Sequence, residues 1–247
     1  MNRENLIIED GVLKGFATHI VVPKDVKEIG ECAFYDCKTL SSVVIQNGVS
    51  RIGKQAFRNC VALQKMHIPA SVDEMINNPF ECCPNLKELT VSPNNKRYKS
   101  ENDCIIEKAT NILICGCQAS VIPDGVKVIG SSAFYGCHNF ENVNIPDGVR
   151  EIGEMAFANC RSLKKLSIPN SVKRIGENAF NACINLEEVI MSNGVEEIGY
   201  SAFVNYRHLK VINYLGTIQQ WSNIRKGDEW GDVNGKYPIH CYDGDIK

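Results

Sequence analysis

The fold of this chain is decided by one short stretch, IGEMAFANCRSLKKLSIP, which occupies residues 152–169. Its phenylalanine, Phe157, belongs to a series that recurs every 23 residues in two runs separated by a gap of 54 residues. The series consists of Phe34, Phe57 and Phe80, followed by Phe134, Phe157, Phe180 and Phe203. A fixed period of this length is the signature of a repeat protein, so the repeat unit takes precedence over individual elements.

The same neighbours surround every phenylalanine of the series. A valine lies eight residues before it, and an Ile-Gly pair lies between the two in six of the seven units. A cysteine follows three residues after it in six units, and an apolar residue follows three residues further on. The cysteine column contains Cys37, Cys60, Cys83, Cys137, Cys160 and Cys183, with Tyr206 in the last unit. Each column predicts one structural role that is repeated along the chain.

Each unit closes with alternating apolar and polar residues, as in Leu166-Ser167-Ile168, and often with a proline such as Pro169. This alternation predicts a strand buried on one face, and proline ends the strand because it has no amide hydrogen for a ladder. The predicted strand ends are Val22, Ile45, Ile68, Val91, Ile122, Ile145, Ile168, Met191 and Tyr214. The glycine of the Ile-Gly pair is predicted to adopt a positive φ, and Ala-Phe is predicted to begin a helical turn.

A single unit is too small to fold alone. Burial of its few large apolar side chains does not offset the conformational entropy lost when 23 residues become ordered. Units stacked in register would share one apolar interior and pair their strands in parallel. The sequence therefore predicts a solenoid of nine rungs.

The repeat frame resembles the BspA-like, treponemal-type leucine-rich repeat, in which L-x-x-L-x-I-P is followed by I-G-x-x-A-F-x-x-C. The match extends over residues 20–214. This resemblance implies an α/β leucine-rich-repeat solenoid, a curved right-handed coil with parallel strands on its concave face and short strands and helical turns elsewhere, capped at both ends. It also implies a role in recognition, since many members are cell-surface proteins and some are adhesins.

The expected organisation is a single leucine-rich-repeat domain over residues 1–247. Its ends need covers because the terminal coils of a solenoid expose apolar core. The expected parts are an N-terminal hairpin cap at 1–22, repeats at 23–212 with an irregular insertion at 92–121, and a C-terminal cap at 213–247.

The caps and the insertion carry their own sequence signals. Asp10-Gly11 suits a tight hairpin turn in the N-terminal cap. The insertion contains two apolar runs about a polar turn, from Cys104 to Cys115, which predicts a projecting or inserted hairpin. Trp221 and Trp230 are expected to cover the last rung, and an aromatic platform for sugars is the alternative.

Composition excludes several classes of protein. Hydrophobic residues make up 44% and charged residues 23%, as in a folded globular chain rather than a disordered or collagenous one. The 27 Lys and Arg against 29 Asp and Glu give a net charge of −2, so no nucleic-acid partner is expected. No apolar run approaches the roughly 18 residues of a transmembrane segment. Two locations stay open: cytoplasmic if Met1 is the natural start, and cell-surface or secreted if a signal peptide was removed.

Catalytic, metal and cofactor chemistry has no support in the residue pattern. The five histidines lie in different phases of the repeat, and no Ser-His-Asp arrangement or phosphate-binding loop is present. Cys115-Gly-Cys117 does not have the spacing of a redox or zinc site. Since half of the twelve cysteines occupy one column, buried reduced thiols are expected. We therefore expect no enzyme, no cofactor and no metal.

The candidate binding surface follows from strand geometry, because residues between the buried ones face outward. Two such rows are expected on the concave face, with cross-rung ion pairs of Lys65 with Glu88 and of Lys165 with Glu188. The candidates are Lys65, His67, Glu88, Thr90, Val121, Asn142, Asn144, Lys165, Ser167, Glu188 and Ile190. A solvated face without a ligand is the alternative.

Two functions follow from these expectations. The first is a non-enzymatic recognition module that binds a protein or carbohydrate through the concave face or the inserted hairpin, with adhesion as one such role. The second is a structural spacer without a specific ligand. A monomer is expected in either case.

Overall fold

The computed structural model describes residues 6–9, 12–16, 18–204, 208–231 and 237–246 of the chain. Its backbone contacts form two compact units. Unit 1 consists of Met1–Thr110 and Ile114–Val121, and unit 2 consists of Asn111–Leu113 and Ile122–Lys247. Each unit is a stretch of β-solenoid with parallel strands.

Unit 1 contains one row of four-residue strands and one row of two-residue strands, called long and short strands below. The long strands are β3 (His19–Val22), β5 (Ser42–Ile45), β7 (Lys65–Ile68) and β9 (Glu88–Val91). The short strands are β4 (Glu28–Ile29), β6 (Arg51–Ile52) and β8 (Glu74–Met75). The insertion contributes β10 (Tyr98–Glu101), β11 (Cys104–Glu107) and β12 (Ile112–Cys115), of which β12 belongs in part to unit 2.

The N-terminal residues form the predicted hairpin. Strand β1 (Leu6–Glu9) pairs antiparallel with β2 (Val12–Phe16). The expected turn residues Asp10 and Gly11 lie outside the described residues. The hairpin itself is therefore confirmed.

Unit 2 repeats the two-row arrangement. Its long strands are β14 (Asn142–Asn144), β16 (Lys165–Ile168), β18 (Glu188–Ser192), β20 (Val211–Leu215) and β22 (Ile239–Cys241). Its short strands are β13 (Val128–Ile129), β15 (Glu151–Ile152), β17 (Arg174–Ile175), β19 (Glu197–Ile198) and β21 (Arg225–Lys226). Strand β23 (Gly244–Ile246) pairs antiparallel with β22, and α1 spans Ile218–Asn223.

The predicted strand ends are largely confirmed. Seven of them lie in a strand, and Ile145 directly follows β14. The prediction at Ile122 is wrong, since residues 116–127 contain no strand. Conversely, β22 adds a rung to the long-strand row of unit 2 by pairing in parallel with β20.

The phenylalanine series forms the centre of each core. In unit 2 the ring of Phe157 stacks on Phe134 at 5.1 Å and on Phe180 at 5.4 Å between ring centroids. All three side chains are fully buried. In unit 1, Phe34 stacks on Phe57 in the same way at 5.1 Å. Each ring therefore depends on the rings of the neighbouring coils for its burial.

The Ala-Phe segments are hydrogen-bonded turns rather than helix, so the predicted α/β character is not confirmed. The nitrogen of Cys60 donates to the carbonyl of Phe57, and that of Arg58 donates to Gln55, in bonds that span three residues. Positive φ angles of 56° at Gln55 and 60° at Asn59 interrupt any right-handed helix. The one helix among the described residues is α1, which lies in the C-terminal cap.

The Ile-Gly glycines do not adopt the predicted positive φ. Their role is close approach between coils. A Cβ on Gly53 would lie 2.5 Å from the backbone nitrogen of Glu31, and one on Gly176 would lie 2.6 Å from that of Glu154. Gly30, in the first coil, has no atom within 4 Å of that position. Glycine recurs in the Ile-Gly pairs because backbone atoms of the preceding coil fill the space that a Cβ atom would need.

The C-terminal cap continues the solenoid before closing it. Strand β21 pairs in parallel with β19. Trp221 is buried edge-on against Tyr214, with 5.1 Å between ring centroids, and Trp230 lies 5.5 Å from Trp221. The expectation that the tryptophans cover the rung of Tyr214 is confirmed for Trp221, whereas Trp230 is half-buried against Trp221. None of the described residues forms a helix that is long and apolar enough to cross a membrane.

Candidate recognition surfaces

The outward side of the long strands in unit 1, called the unit 1 face, carries an exposed apolar pair. Val21 of β3 and Val44 of β5 are partners in register and are 39% and 45% exposed. In the same row follow His67 and Thr90, whose Nδ1 and Oγ1 atoms lie 3.0 Å apart. The face therefore combines an apolar end with a polar end.

The second row of the unit 1 face contains the predicted ion pair. The Nζ of Lys65 lies 2.6 Å from the Oε2 of Glu88. The hydrogen bond and the charge of Glu88 raise the pKa of Lys65. Because the pair is well exposed, it contributes little to stability and instead fixes the position of two charges beside the valines.

The outward side of the long strands in unit 2, called the unit 2 face, is polar. Asn142 pairs in register with Lys165, and Asn144 pairs with Ser167. The predicted ion pair is present, with Lys165 Nζ 3.1 Å from Glu188 Oε2. The other Glu188 oxygen accepts a hydrogen bond from Asn213 at 2.9 Å.

The apolar member of the unit 2 face is partly covered. Ile190 of β18 pairs in register with Ser167 on one side and with Asn213 on the other. Its side chain is half-buried, in contrast to the exposed valines of unit 1. The unit 2 face consequently presents hydrogen-bonding groups rather than an apolar patch.

The prediction that Val121 belongs to a strand row is wrong. Val121 lies outside any strand and is 64% exposed. Its backbone nitrogen donates to the carbonyl of Asn102 at 3.3 Å, and Ser120 Oγ donates to the carbonyl of Asp103 at 2.5 Å. The backbone of this segment is thus bonded to the tip of the inserted hairpin, which takes the place of a strand ladder.

The two predicted apolar runs of the insertion are strands β11 and β12, and β10 is an additional strand that forms a hairpin with β11. Strand β10 pairs antiparallel with β11, and the turn residues Asn102 and Asp103 have φ angles of 49° and 56°. Two positive φ angles are typical of a type I′ turn, which asparagine and aspartate tolerate. The Asn-Asp dipeptide was the signal in the sequence that would have located this turn.

This hairpin packs onto unit 1 instead of projecting from it. The backbone nitrogens of Leu89 and Val91 in β9 donate to Asp103 Oδ1 at 3.3 Å and to Ser100 Oγ at 3.0 Å. Cys104 and Ile105 are fully buried. The hairpin side chains therefore satisfy strand-edge amides that would otherwise be open.

Asn95 anchors the start of the insertion. Its buried side chain donates to the carbonyls of Pro69 at 2.9 Å and Val72 at 2.8 Å. Its oxygen accepts hydrogen bonds from the backbone nitrogens of Arg97 at 3.0 Å and Tyr98 at 2.8 Å. One side chain thus satisfies four backbone groups at a buried site.

Sequence reasoning missed the charge ladders on the short strands. In unit 1 the guanidinium of Arg51 lies between Glu28, at 2.5 Å, and Glu74, at 2.9 Å. In unit 2, Arg174 lies 2.6 Å from Glu151 and Arg225 lies 2.9 Å from Glu197. The spacing of Glu28, Arg51 and Glu74 at one repeat period was the available signal.

The unit 2 ladder borders a groove of about 470 Å³, called the unit 2 groove. Gly176, Gly199 and Gly227 line its floor. Glu177 and Tyr200 also line it, and the Tyr200 ring is 44% exposed. In the preceding repeats, the position that corresponds to Tyr200 carries a polar residue, for example Glu154.

Comparison with known proteins assigns the family. A family model described as BspA type leucine rich repeat region matches residues 14–113 and 113–224, in six copies. The chain belongs to the BspA-type leucine-rich-repeat family. A search of curated proteins found no match.

Solved structures of bacterial repeat proteins share the fold of this BspA-type protein. A leucine-rich cell surface protein from Faecalibacterium prausnitzii is 28% identical with a TM-score of 0.63, and the match covers 85% of this chain and 63% of that one. A leucine-rich repeat protein from Eubacterium ventriosum is 22% identical with a TM-score of 0.60, covering 81% and 67%. One from Bacteroides ovatus is 23% identical with a TM-score of 0.55, covering 92% and 55%. The last two show the fold alone.

The cysteine column of this BspA-type protein is structural. The thiol of Cys60 donates to the carbonyl of Phe34 in the preceding coil at 3.1 Å, and Cys160 donates to Phe134 at 3.2 Å. Burial raises the pKa of Cys83 to about 12 and holds that of Cys160 well above its usual value. These thiols therefore stay protonated and are poor nucleophiles at neutral pH. All twelve cysteines are free thiols.

Metal-ligating side chains are not clustered in the part of the chain that the structure describes. No group of three or more His, Cys, Asp or Glu side chains is arranged to hold a metal ion there. The described histidines have separate surroundings, for example His67 beside Thr90 and His240 beside Asp245. The surfaces that remain as functional candidates are the two faces, the hairpin and the unit 2 groove.

Proposed function

We propose that this protein is a non-enzymatic recognition module that binds a protein partner through the unit 1 face. The family assignment supports a repeat-based recognition or surface protein. The observation that carries the choice of face is the pair of exposed valines, Val21 and Val44, side by side on paired strands. Exposed adjacent apolar side chains on an ordered sheet favour contact with a protein surface.

The surroundings of the valines suit a protein interface. Burial of an exposed valine by a partner contributes up to roughly 1.5 kcal/mol. The Lys65–Glu88 ion pair and the His67–Thr90 contact lie beside the valines and would form a polar rim. Because β3 pairs with β5 and β7 pairs with β9, the partner would be recognised through side chains rather than through insertion of a strand within these pairs.

The other candidate residues have a smaller role in this proposal. The unit 2 face lacks an exposed apolar pair, since Ile190 is half-buried between Ser167 and Asn213. The lack of an apolar centre favours the second function, a spacer, for unit 2. The inserted hairpin serves mainly to close unit 1, because its side chains bond to the edge of β9.

Val44→Arg is expected to weaken partner binding at least about tenfold, because a solvated guanidinium would replace a buried contact at the centre of the interface. The measurement is a titration of immobilised full-length protein with partners found on arrays of extracellular-matrix proteins and glycans. Ser167→Arg introduces an arginine at the corresponding row of the unit 2 face and is the matched control.

The outcomes separate the functions. Loss of partner binding by Val44→Arg, together with retained binding by Ser167→Arg, supports the proposal. Loss of partner binding by Ser167→Arg but not by Val44→Arg would assign recognition to the unit 2 face. Loss of binding by Asn144→Arg would do the same. Binding to no protein on the arrays would contradict recognition by the unit 1 face and favour the spacer.

A further inference from the structure

Three glycines that contact the preceding coil, Gly176, Gly199 and Gly227, are among the residues that line the unit 2 groove. A Cβ on Gly199 would lie 2.6 Å from the backbone nitrogen of Glu177, and one on Gly227 would lie 2.5 Å from that of Tyr200. These positions are therefore confined to glycine, and they contribute backbone rather than side chains to the lining of the groove. The volume of about 470 Å³ is in the range of small-molecule sites.

One wall of the groove offers alternating hydrogen-bond donors and acceptors. Arg174 contacts Glu151 through Nη2, and Arg225 contacts Glu197 through Nη2. A guanidinium has five N–H donors, so each of these contacts leaves donors for a ligand. Arg174 and Glu197 are also partners in register on adjacent strands. A ligand that lies along this wall thus meets a donor next to an acceptor.

The lining of the groove also includes an oriented aromatic ring. The hydroxyl of Tyr200 donates to Glu229 Oε2 at 3.2 Å, which restricts rotation of the side chain. The ring nevertheless stays 44% exposed beside the glycine floor. An exposed tyrosine with a tethered hydroxyl presents an apolar surface at low entropic cost.

We propose that the unit 2 groove binds a neutral saccharide. The C–H face of a pyranose would pack on the Tyr200 ring, and its vicinal hydroxyls would bond to the alternating guanidinium and carboxylate groups of the ladder. The charged lining residues balance, so the groove does not select a charged ligand. These residues are Glu151, Glu177 and Glu197, against Arg174, Arg225 and Lys226. The site is separate from the unit 1 face and does not depend on its function.

The test is a saturation-transfer NMR experiment on the full-length protein with maltotriose, cellotriose, chitotriose and mannotriose as probes, followed by titration of those that bind. Tyr200→Ala is expected to weaken binding about tenfold or more through loss of the stacking surface. Tyr200→Phe keeps the ring and is expected to bind within about threefold of the unaltered protein. Tyr35→Ala, at an exposed tyrosine of unit 1, is the control and should bind normally.

Two results would overturn the proposal. One is the absence of saturation transfer to all four probes with the unaltered protein. The other is undiminished binding by Tyr200→Ala with a circular-dichroism spectrum that shows an intact fold. Val44→Arg should leave saccharide binding unchanged. A loss of saccharide binding at the groove can therefore be distinguished from a loss of partner binding at the unit 1 face.

Discussion

Phe157→Ala is expected to lower the free energy of unfolding by about 3–5 kcal/mol, the range for removing a buried aromatic side chain. The Phe157 ring is fully buried and stacks on the rings of Phe134 and Phe180. Its loss would leave a cavity between two coils and remove two stacking contacts at once. The measurement is urea denaturation of the full-length protein followed by circular dichroism.

Phe157→Leu is the control for this change. Leucine keeps most of the apolar volume but loses both ring contacts, so an intermediate loss of about 1–2 kcal/mol is expected. A loss below about 1 kcal/mol for the alanine variant would mean that the ring column does not hold the coils together.

Asn95→Ala is expected to destabilise the protein by about 3 kcal/mol, because four backbone groups at a buried site each lose a hydrogen bond. The carbonyls of Pro69 and Val72 and the nitrogens of Arg97 and Tyr98 are the groups concerned. Urea denaturation again measures the effect.

The neighbouring residue supplies the matched control for that variant. Asn94 is exposed, and it donates to Ser92 Oγ through its backbone nitrogen, which alanine keeps, so Asn94→Ala should change stability by less than about 0.5 kcal/mol. Equal effects of the two substitutions would contradict the assignment of Asn95 as the anchor of the insertion.

The repeat made most of the fold predictable from sequence. A column such as the phenylalanines reports a buried position without any knowledge of the coil geometry, and alternation at Leu166 and Ile168 reports the strand directly. The role of Gly53 could not be derived in this way, because it depends on the distance to Glu31 in the preceding coil. Local turn chemistry suggested a positive φ instead.

The insertion was less predictable because it leaves the repeat register. The repeat period predicts a strand at Val121, but the backbone nitrogen of Val121 instead donates to the carbonyl of Asn102 at the hairpin tip. The strands β11 and β12 follow the predicted apolar runs, but the additional turn at Asn102 and Asp103 depends on β10, whose residues Tyr98–Glu101 lack a clear apolar alternation.

The candidate surfaces were also predictable from the sequence only in part. The Lys65–Glu88 pair was predictable because residues one period apart lie side by side in neighbouring strands. Arg51 and Glu74 have the same spacing of one period and likewise form an ion pair. The unit 2 groove required the structure, since it is defined by backbone proximity around Gly199 and by the exposure of Tyr200.

The central claim is that each coil is supported by direct contact with the coil before it. The measurement that tests this most directly compares Gly53→Ala with Gly30→Ala by urea denaturation of the full-length protein. Both glycines follow an isoleucine in unit 1, but a Cβ on Gly53 would meet Glu31 at 2.5 Å whereas one on Gly30 would meet nothing within 4 Å. We expect Gly53→Ala to lose about 1–3 kcal/mol and Gly30→Ala to be neutral or slightly stabilising. Equal stability of the two variants would contradict the claim.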